Sequence, residues 1–287
     1  MSAVFAHELK NYFRTLTAYV FGAFLLVFTG IGAMMYNINA AVSNFEYVLQ
    51  FCSIVFVVIV PILTMRVIAE ERKQKTDQLL YSLPITTTEV ILGKYLALLV
   101  VFLLPMIIIS VYPMIFARFG DVYLMTSYGS LLAFFIMGAA LIAIGIFISS
   151  LTDNQGFAAG IGIAAILLNY FSVTLSEYVS TTAFSSLVVF CIISVLLAIA
   201  VEHLTKNEYL GFGLGGLLVI VFFAMFMIDS EKLEGLLPDI MTKLSLFKQF
   251  NTFVNGVFDL RALVYFLSVI VFFLFLSVQS LEKRRYN

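Results

Sequence analysis

Glu70, Glu71, Arg72, Lys73, Lys75 and Asp77 place six charges within eight residues of a chain that is 62% hydrophobic and only 11% charged. These residue types in this order suit recognition rather than catalysis. Glu71 and Lys75 stand in the favourable i,i+4 order of a solvated helix, and Leu79, Leu80 and Leu83 follow as an apolar patch that Pro84 terminates. Thr86, with Glu89 three residues on, fits a capping box that opens the next helix. The stretch from Met65 to Lys94 therefore predicts a helix continuing out of an apolar segment, a proline-set turn and a second helix. A loop that only enforces topology needs no more than a handful of residues. A docking element for a partner accounts for more of the pattern, with Glu70, Glu71, Arg72, Thr76, Asp77, Leu79, Leu80, Leu83 and Pro84 as its residues.

Other chemistries find no residues to carry them. His7 and His203 are isolated, and no His-Glu-x-x-His occurs. "LGKYL" holds Gly93 and Lys94, but Thr88 stands five positions before Gly93 where a phosphate-cradling loop needs glycine. No catalytic set, directly bound cofactor or metal site is expected. Cys52 and Cys191 fall within apolar stretches and read as small apolar residues. A net charge of −1 gives no basic patch for nucleic acid.

The elements that position the charged segment are set by hydropathy. With 287 residues, thirty Phe, no Trp and a mean hydropathy of +1.06, the chain has more apolar surface than one soluble core hides. Eight stretches, roughly 18–36, 47–65, 95–117, 129–150, 156–175, 184–201, 210–228 and 263–281, approach the ~20 apolar residues a membrane helix needs. None contains Asp, Glu, Lys, Arg or His, which argues against a proton or ion relay. Runs such as "VFLLPMIIISVYPMIF" lack the alternation of β-barrel strands. The expected fold is an all-α polytopic bundle of about eight transmembrane helices, with the first retained rather than cleaved as a signal peptide. Gly156, Gly160 and Ala164 form one small-residue stripe, and Gly138 and Gly145 another, for helix packing within the chain or for a dimer seam. Asn169 suggests an interhelical hydrogen bond, and Pro61, Pro105 and Pro113 suggest kinks.

Short basic loops stay in the cytoplasm. Arg66, Arg72, Lys73 and Lys75 lie on the same side as Lys283, Arg284 and Arg285 if an even number of crossings leaves both termini cytoplasmic. Residues 1–17 then form an amphipathic interfacial helix, with Phe5, Leu9, Tyr12, Phe13 and Leu16 opposite Glu8, Lys10, Asn11 and Arg14. Residues 18–287 form the membrane domain, with a cytoplasmic segment 66–94 and an extracytoplasmic interfacial segment 229–262. In the latter, Leu236, Leu237, Ile240, Met241, Leu244 and Phe247 recur at helical spacing opposite Asp239, Lys243 and Lys248. This stripe is a cap on the bundle or an outer gate. Asn255-Gly256 offers a turn.

"EERKQKTDQLLYSLPITTTEVILGKYLA" resembles the segment after the second helix of ABC-2 type permeases, particularly the gliding-motility-associated (GldF-like) branch. "FNTFVNGVFDLRALVYFLSVIVFFLFLSVQSLEKRR" is similar to that branch's closing span. Lys75 and Gln78 stand where the family often has Gly and Glu. The resemblance implies a six-helix core to which Ala183–Ile228 adds two helices. It also implies a separate cytoplasmic ABC ATPase carrying ATP and Mg and docked at the charged segment. Thr152, Asp153 and Asn154 would make a second inner contact, and a second permease copy would complete the transporter. A prokaryotic cell-membrane exporter of an apolar or amphipathic substrate, such as a lipid or peptide, is the expected function. The alternative is a non-transporting scaffold or sensor that docks a signalling partner through the same loop.

Overall fold

The computed structural model describes residues 1–75, 85–205 and 208–285. Each of the eight apolar stretches is helical, and no strand occurs among the described residues. Helix α1 (Ser2–Arg14) precedes α2 (Thr17–Gly32), which runs on as a π-helical turn through Ala33–Asn39. The second apolar stretch holds α3 (Glu46–Ser53) and α4 (Phe56–Thr64), and the short α5 (Ala69–Lys73) follows. The third holds α6 (Thr87–Ile109) and α7 (Val111–Phe116). After these come α8 (Leu124–Leu151), α9 (Gln155–Tyr178), α10 (Ala183–Thr205) and α11 (Glu208–Ile228). A 3-10 turn at Ser230–Leu233 leads to α12 (Leu236–Lys243), α13 (Leu246–Val254) and α14 (Leu260–Arg285).

Among the described residues, six helices are long and apolar enough to cross a membrane, and the α3–α4 pair makes seven if it counts as one span. The count differs from eight at two places. α3 and α4 are bent by 58°, and the described apolar part of α10, Ala183–Ile199, is shorter than the other spans. The bend at Ile54–Val55 lies upstream of Pro61, which has no N–H to give the carbonyl of Val57. Pro113 acts more directly: in a continuous helix its ring would clash with the carbonyl of Ile109, four residues back, and α6 ends there. α6 runs through Pro105 unbroken.

The charged segment is not the continuous helix that its sequence suggests. Backbone turns at Met65–Ile68 separate α4 from α5, and α5 ends at Lys73. Lys75 has φ +57°, a left-handed conformation that costs a residue with a Cβ about 1–2 kcal/mol and glycine almost nothing. Thr76, Asp77, Leu79, Leu80, Leu83 and Pro84 lie outside the described residues. Beyond them the capping box is formed. Thr86 Oγ1 accepts from the Glu89 amide at 3.2 Å, and Glu89 Oε2 accepts from the Thr86 amide at 3.3 Å. Thr86→Ala is expected to remove about 1 kcal/mol, read as a lower melting temperature of the detergent-solubilised protein.

The chain forms two compact units, residues 1–170 with 246–287 and residues 171–245. The first is organised around α8. In its most apolar window 72% is buried within the chain, against 33% for α2, so α8 is the central helix. Glycine lets its neighbours close in. A Cβ at Gly138 would fall 2.5 Å from the Phe102 ring, and one at Gly145 would overlap the Thr64 side chain. Phe56, Phe102, Phe134 and Phe250 interlock around that contact, with Phe56 and Phe134 centroids 4.5 Å apart. The Gly138 and Gly145 pair therefore packs helices of one chain, small residues letting the backbones approach closely. Nothing approaches Gly160 within 4 Å, and the Gly156, Gly160 and Ala164 stripe is exposed.

The second unit is built on the α10–α11 pair, the two helices beyond the expected six-helix core. A Cβ at Gly211 would lie 2.7 Å from that of Glu202, and one at Gly215 would overlap Ala198, so this hairpin too closes through glycine. Phe190 and Phe222 stack at 5.0 Å, while Ala183, Phe190, Leu233 and Leu237 form a small core.

Candidate functional site

Two clusters of polar contacts tie the charged segment to the first unit. At the first, Lys94 Nζ donates to Glu8 Oε1 at 2.6 Å and to Glu71 Oε1 at 2.7 Å. Its side chain is only 2% exposed. α1 brings Glu8, α5 brings Glu71 and the first turns of α6 bring Lys94. The helices approach because position 93 is glycine: a Cβ there would lie 3.1 Å from Val4. A buried ammonium must be paired and hydrogen-bonded to be tolerated, and two carboxylates do this. Tyr12 packs one helical turn beyond Glu8. Burial, helped by Glu8 and Glu71, holds its hydroxyl far above the ordinary tyrosine range, so it stays neutral. A cavity of about 710 Å³ opens beside the cluster, with His7, Asn11, Arg66, Glu70 and Gln74 in its lining.

The second cluster is at the end of α8. Ser149 Oγ accepts from the amides of Ile68 and Ala69 and donates to the carbonyl of Met65, each at 3.2 Å. One hydroxyl thus completes the backbone where α4 has ended and α5 begins. Arg72, 6% exposed, donates to the carbonyl of Ser150, which also accepts from Ser280 Oγ of α14 at 3.0 Å. Arg72 Nη1 also lies 3.9 Å from Asp153 Oδ1. Asp153 belongs to the short connection after α8. There Thr152 Oγ1 accepts from the Asn154 amide, and Asn154 Oδ1 accepts from the Gly156 amide at 2.9 Å, capping α9. The charged segment and the Thr152–Asn154 connection, read separately in sequence, are therefore neighbours.

In the two clusters Glu8 and Glu71 balance Lys94, Arg72 lies beside Asp153, and the Ser149 hydroxyl serves backbone groups. No group of three or more His, Cys, Asp or Glu able to hold a metal occurs among the described residues. What remains is a braced platform, with Lys73, Gln74 and Lys75 exposed on it. The model of the family described as ABC-2 family transporter protein matches residues 32–281. The chain belongs to the ABC-2 transporter family. No curated protein matches it. The ABC-2 protein is thus a multi-pass membrane component of an ABC transporter, a component that carries no ATPase motifs and leaves ATP hydrolysis to a partner.

Several expected residues of the ABC-2 protein sit elsewhere than the sequence suggests. Glu71 and Arg72 were expected on a solvated face, but Glu71 is bound to Lys94 and Arg72 is buried against α8. Glu8 was expected opposite Tyr12 and is instead buried on the same side of α1, while Leu16 is 77% exposed. Glu70 is partly exposed and accepts from Gln74 at 3.4 Å. The stripe from Leu236 to Phe247 is divided at Ser245 between two helices and two units. Leu237 is buried in the second unit, with Leu236 and Ile240 packed on the same core, and Leu244 is exposed. Phe247 is buried in the first unit, edge-on to Tyr170 at 5.0 Å. Asn169 does form a cross-helix bond, accepting from the Leu246 amide at 3.0 Å. Gly256, φ +80°, turns the chain after α13, its amide bonded to the Phe253 carbonyl at 2.9 Å.

Lys94 and Glu46 are the residues that sequence reasoning missed. Both border apolar stretches, and both are buried inside the bundle. Glu46, 1% exposed at the start of α3, accepts from Ser127 of α8 at 2.9 Å. A lone charge flanking an apolar run gives no sign in sequence of whether it turns toward water or toward a partner.

Proposed function

We propose that the ABC-2 protein is the membrane-spanning permease of an exporter for an apolar or amphipathic substrate, such as a lipid or peptide. It works in a prokaryotic cell membrane as one of two permease copies. A separate cytoplasmic ABC ATPase, which carries the ATP and Mg, drives it, and the GldF-like branch is the part of the family it most resembles. All eight helical stretches cross, leaving both termini in the cytoplasm beside the platform. The observation that supports this reading best is the bracing of the charged segment against α8 through Ser149 and Arg72, since a push on that segment is then delivered to the central helix. With Glu71 and Arg72 engaged inside the chain, the ATPase contacts fall to Glu70 and to the 76–84 stretch with its three leucines, and to Thr152–Asn154 as the second contact. Leu236, Leu237, Ile240, Leu244 and Phe247 serve the outer side as a gate.

Leu80→Asp tests this reading, because a charge in an apolar docking patch leaves a desolvated group unpaired. The expected outcome is loss of the co-purifying ATPase with the yield and melting temperature of the permease unchanged. Recovery of the complex at the parent level would place docking elsewhere and favour the scaffold reading.

A further inference from the structure

Thr15, Thr17 and Arg66 stand where the polar cavity beside Lys94 meets a second, apolar one. The second is a groove of about 470 Å³ between α2 and α4, within the ~300–1,000 Å³ of ligand pockets. Phe21, Ile59 and Leu63 make its buried floor, and Val20, Phe24, Val58 and Ile62 make its exposed walls. Both helices belong to apolar stretches, so these walls face lipid rather than water. At the mouth the chemistry changes within one turn. Arg66 follows the end of α4, is exposed, and makes no ion pair among the described residues. The N-terminus of α2 opens at the same place with no side chain capping it, so its amides and dipole also favour an anion.

Among the described residues no carboxylate pairs with Arg66. Glu8 and Glu71 are taken by Lys94, and Glu70 accepts from Gln74. An apolar slot facing the bilayer, ending in a cation and a helix N-terminus, is complementary to one chemistry: an acyl chain carrying an anionic headgroup. We propose that the groove holds one chain of an anionic phospholipid from the leaflet beside α1, with the lipid phosphate on Arg66 and the α2 amides. This is a resident lipid and not the exported cargo, so the site does not rest on the transport reading. It would fix the start of α2 to the exit of α4, which no direct hydrogen bond or ion pair between Arg66 and α2 does among the described residues.

Native mass spectrometry of the full-length protein in a neutral detergent tests the site, with three probes. These are phosphatidylglycerol, phosphatidylcholine of the same acyl chains, and glycerol phosphate. The parent is expected to retain phosphatidylglycerol about fivefold better than phosphatidylcholine, the preference one surface cation supplies, and not to retain glycerol phosphate. Arg66→Gln should level the two lipids, Arg66→Lys should restore the preference, and Ile62→Trp, at an exposed wall, should exclude both lipids by filling the slot. The proposal is overturned if Arg66→Gln keeps the parent's preference or if the parent binds both lipids equally. Retention of glycerol phosphate as firmly as phosphatidylglycerol would also overturn it, since the site would then be for free phosphate. So would a groove that takes neither lipid, as when a second copy of the chain covers it. If Arg66→Gln fails to fold, the parent's comparison of the two lipids and the Ile62→Trp protein still decide.

Discussion

Lys94→Met should destabilise the protein by about 3–5 kcal/mol, the cost of breaking a buried ion pair from one side. Methionine fills a similar volume, so the loss comes from charge rather than from a cavity. Without the ammonium, Glu8 and Glu71 are left facing each other with no counter-ion, and one or both must take up a proton or move toward water. Movement toward water separates α1 from α5 and α6, and proton uptake leaves a buried acid in place of a paired charge. Loss of monodisperse protein on size-exclusion chromatography and a lower melting temperature would report this. Removing one carboxylate as well should recover part of it: Glu8→Gln with Lys94→Met leaves a single acid beside an amide. The prediction fails if Lys94→Met melts within a degree of the parent, or if the double variant is no better than the single one.

Gly145→Ala should cost about 1–3 kcal/mol, the usual penalty of overpacking, although alanine is the better helix former. The added methyl would overlap the Thr64 hydroxyl and lie 2.8 Å from its Cβ. Thr64 cannot swing aside freely, because its hydroxyl donates to the Val60 carbonyl at 2.9 Å. Gly160→Ala is the matched control. With nothing within 4 Å of the new methyl, it should be neutral or slightly stabilising, by up to ~1 kcal/mol of helix propensity. Thermal melts of the two proteins side by side would decide, and equal melting temperatures would refute the packing account.

The bundle was largely legible because membrane helices announce themselves through composition alone. The limits of α2, α8, α9 and α14 fall within a few residues of the hydropathy stretches, and α10 and α11 lie within the second compact unit, residues 171–245. The break between α3 and α4 was not legible, since residues 47–65 are uniformly apolar and hydropathy does not sense direction. The stripe from Leu236 to Phe247 misled for the opposite reason. Its helical spacing persists across Ser245, where the backbone does not.

At the platform the capping box was readable from Thr86 and Glu89, because both partners lie within one turn. The Glu8–Lys94 and Glu71–Lys94 pairs were not, because the residues lie 86 and 23 positions apart. Hydrophobic periodicity assigns every carboxylate to the wet face. Glu8 stands one turn from Tyr12 on α1, and a buried tyrosine so placed was the only local hint.

The Ser149 hydroxyl has a further implication for how the protein breathes. Amides in a loop usually exchange with solvent through small, local openings, whereas those in a core wait for a large cooperative one. Ile68 and Ala69 lie where the turns after α4 meet the first residue of α5, and yet their amides donate to a side chain of the central helix. Their exposure requires α8 to release its hold, so this short connection shares the opening free energy of the core, and the stretch that resembles a hinge belongs to the rigid part of the molecule.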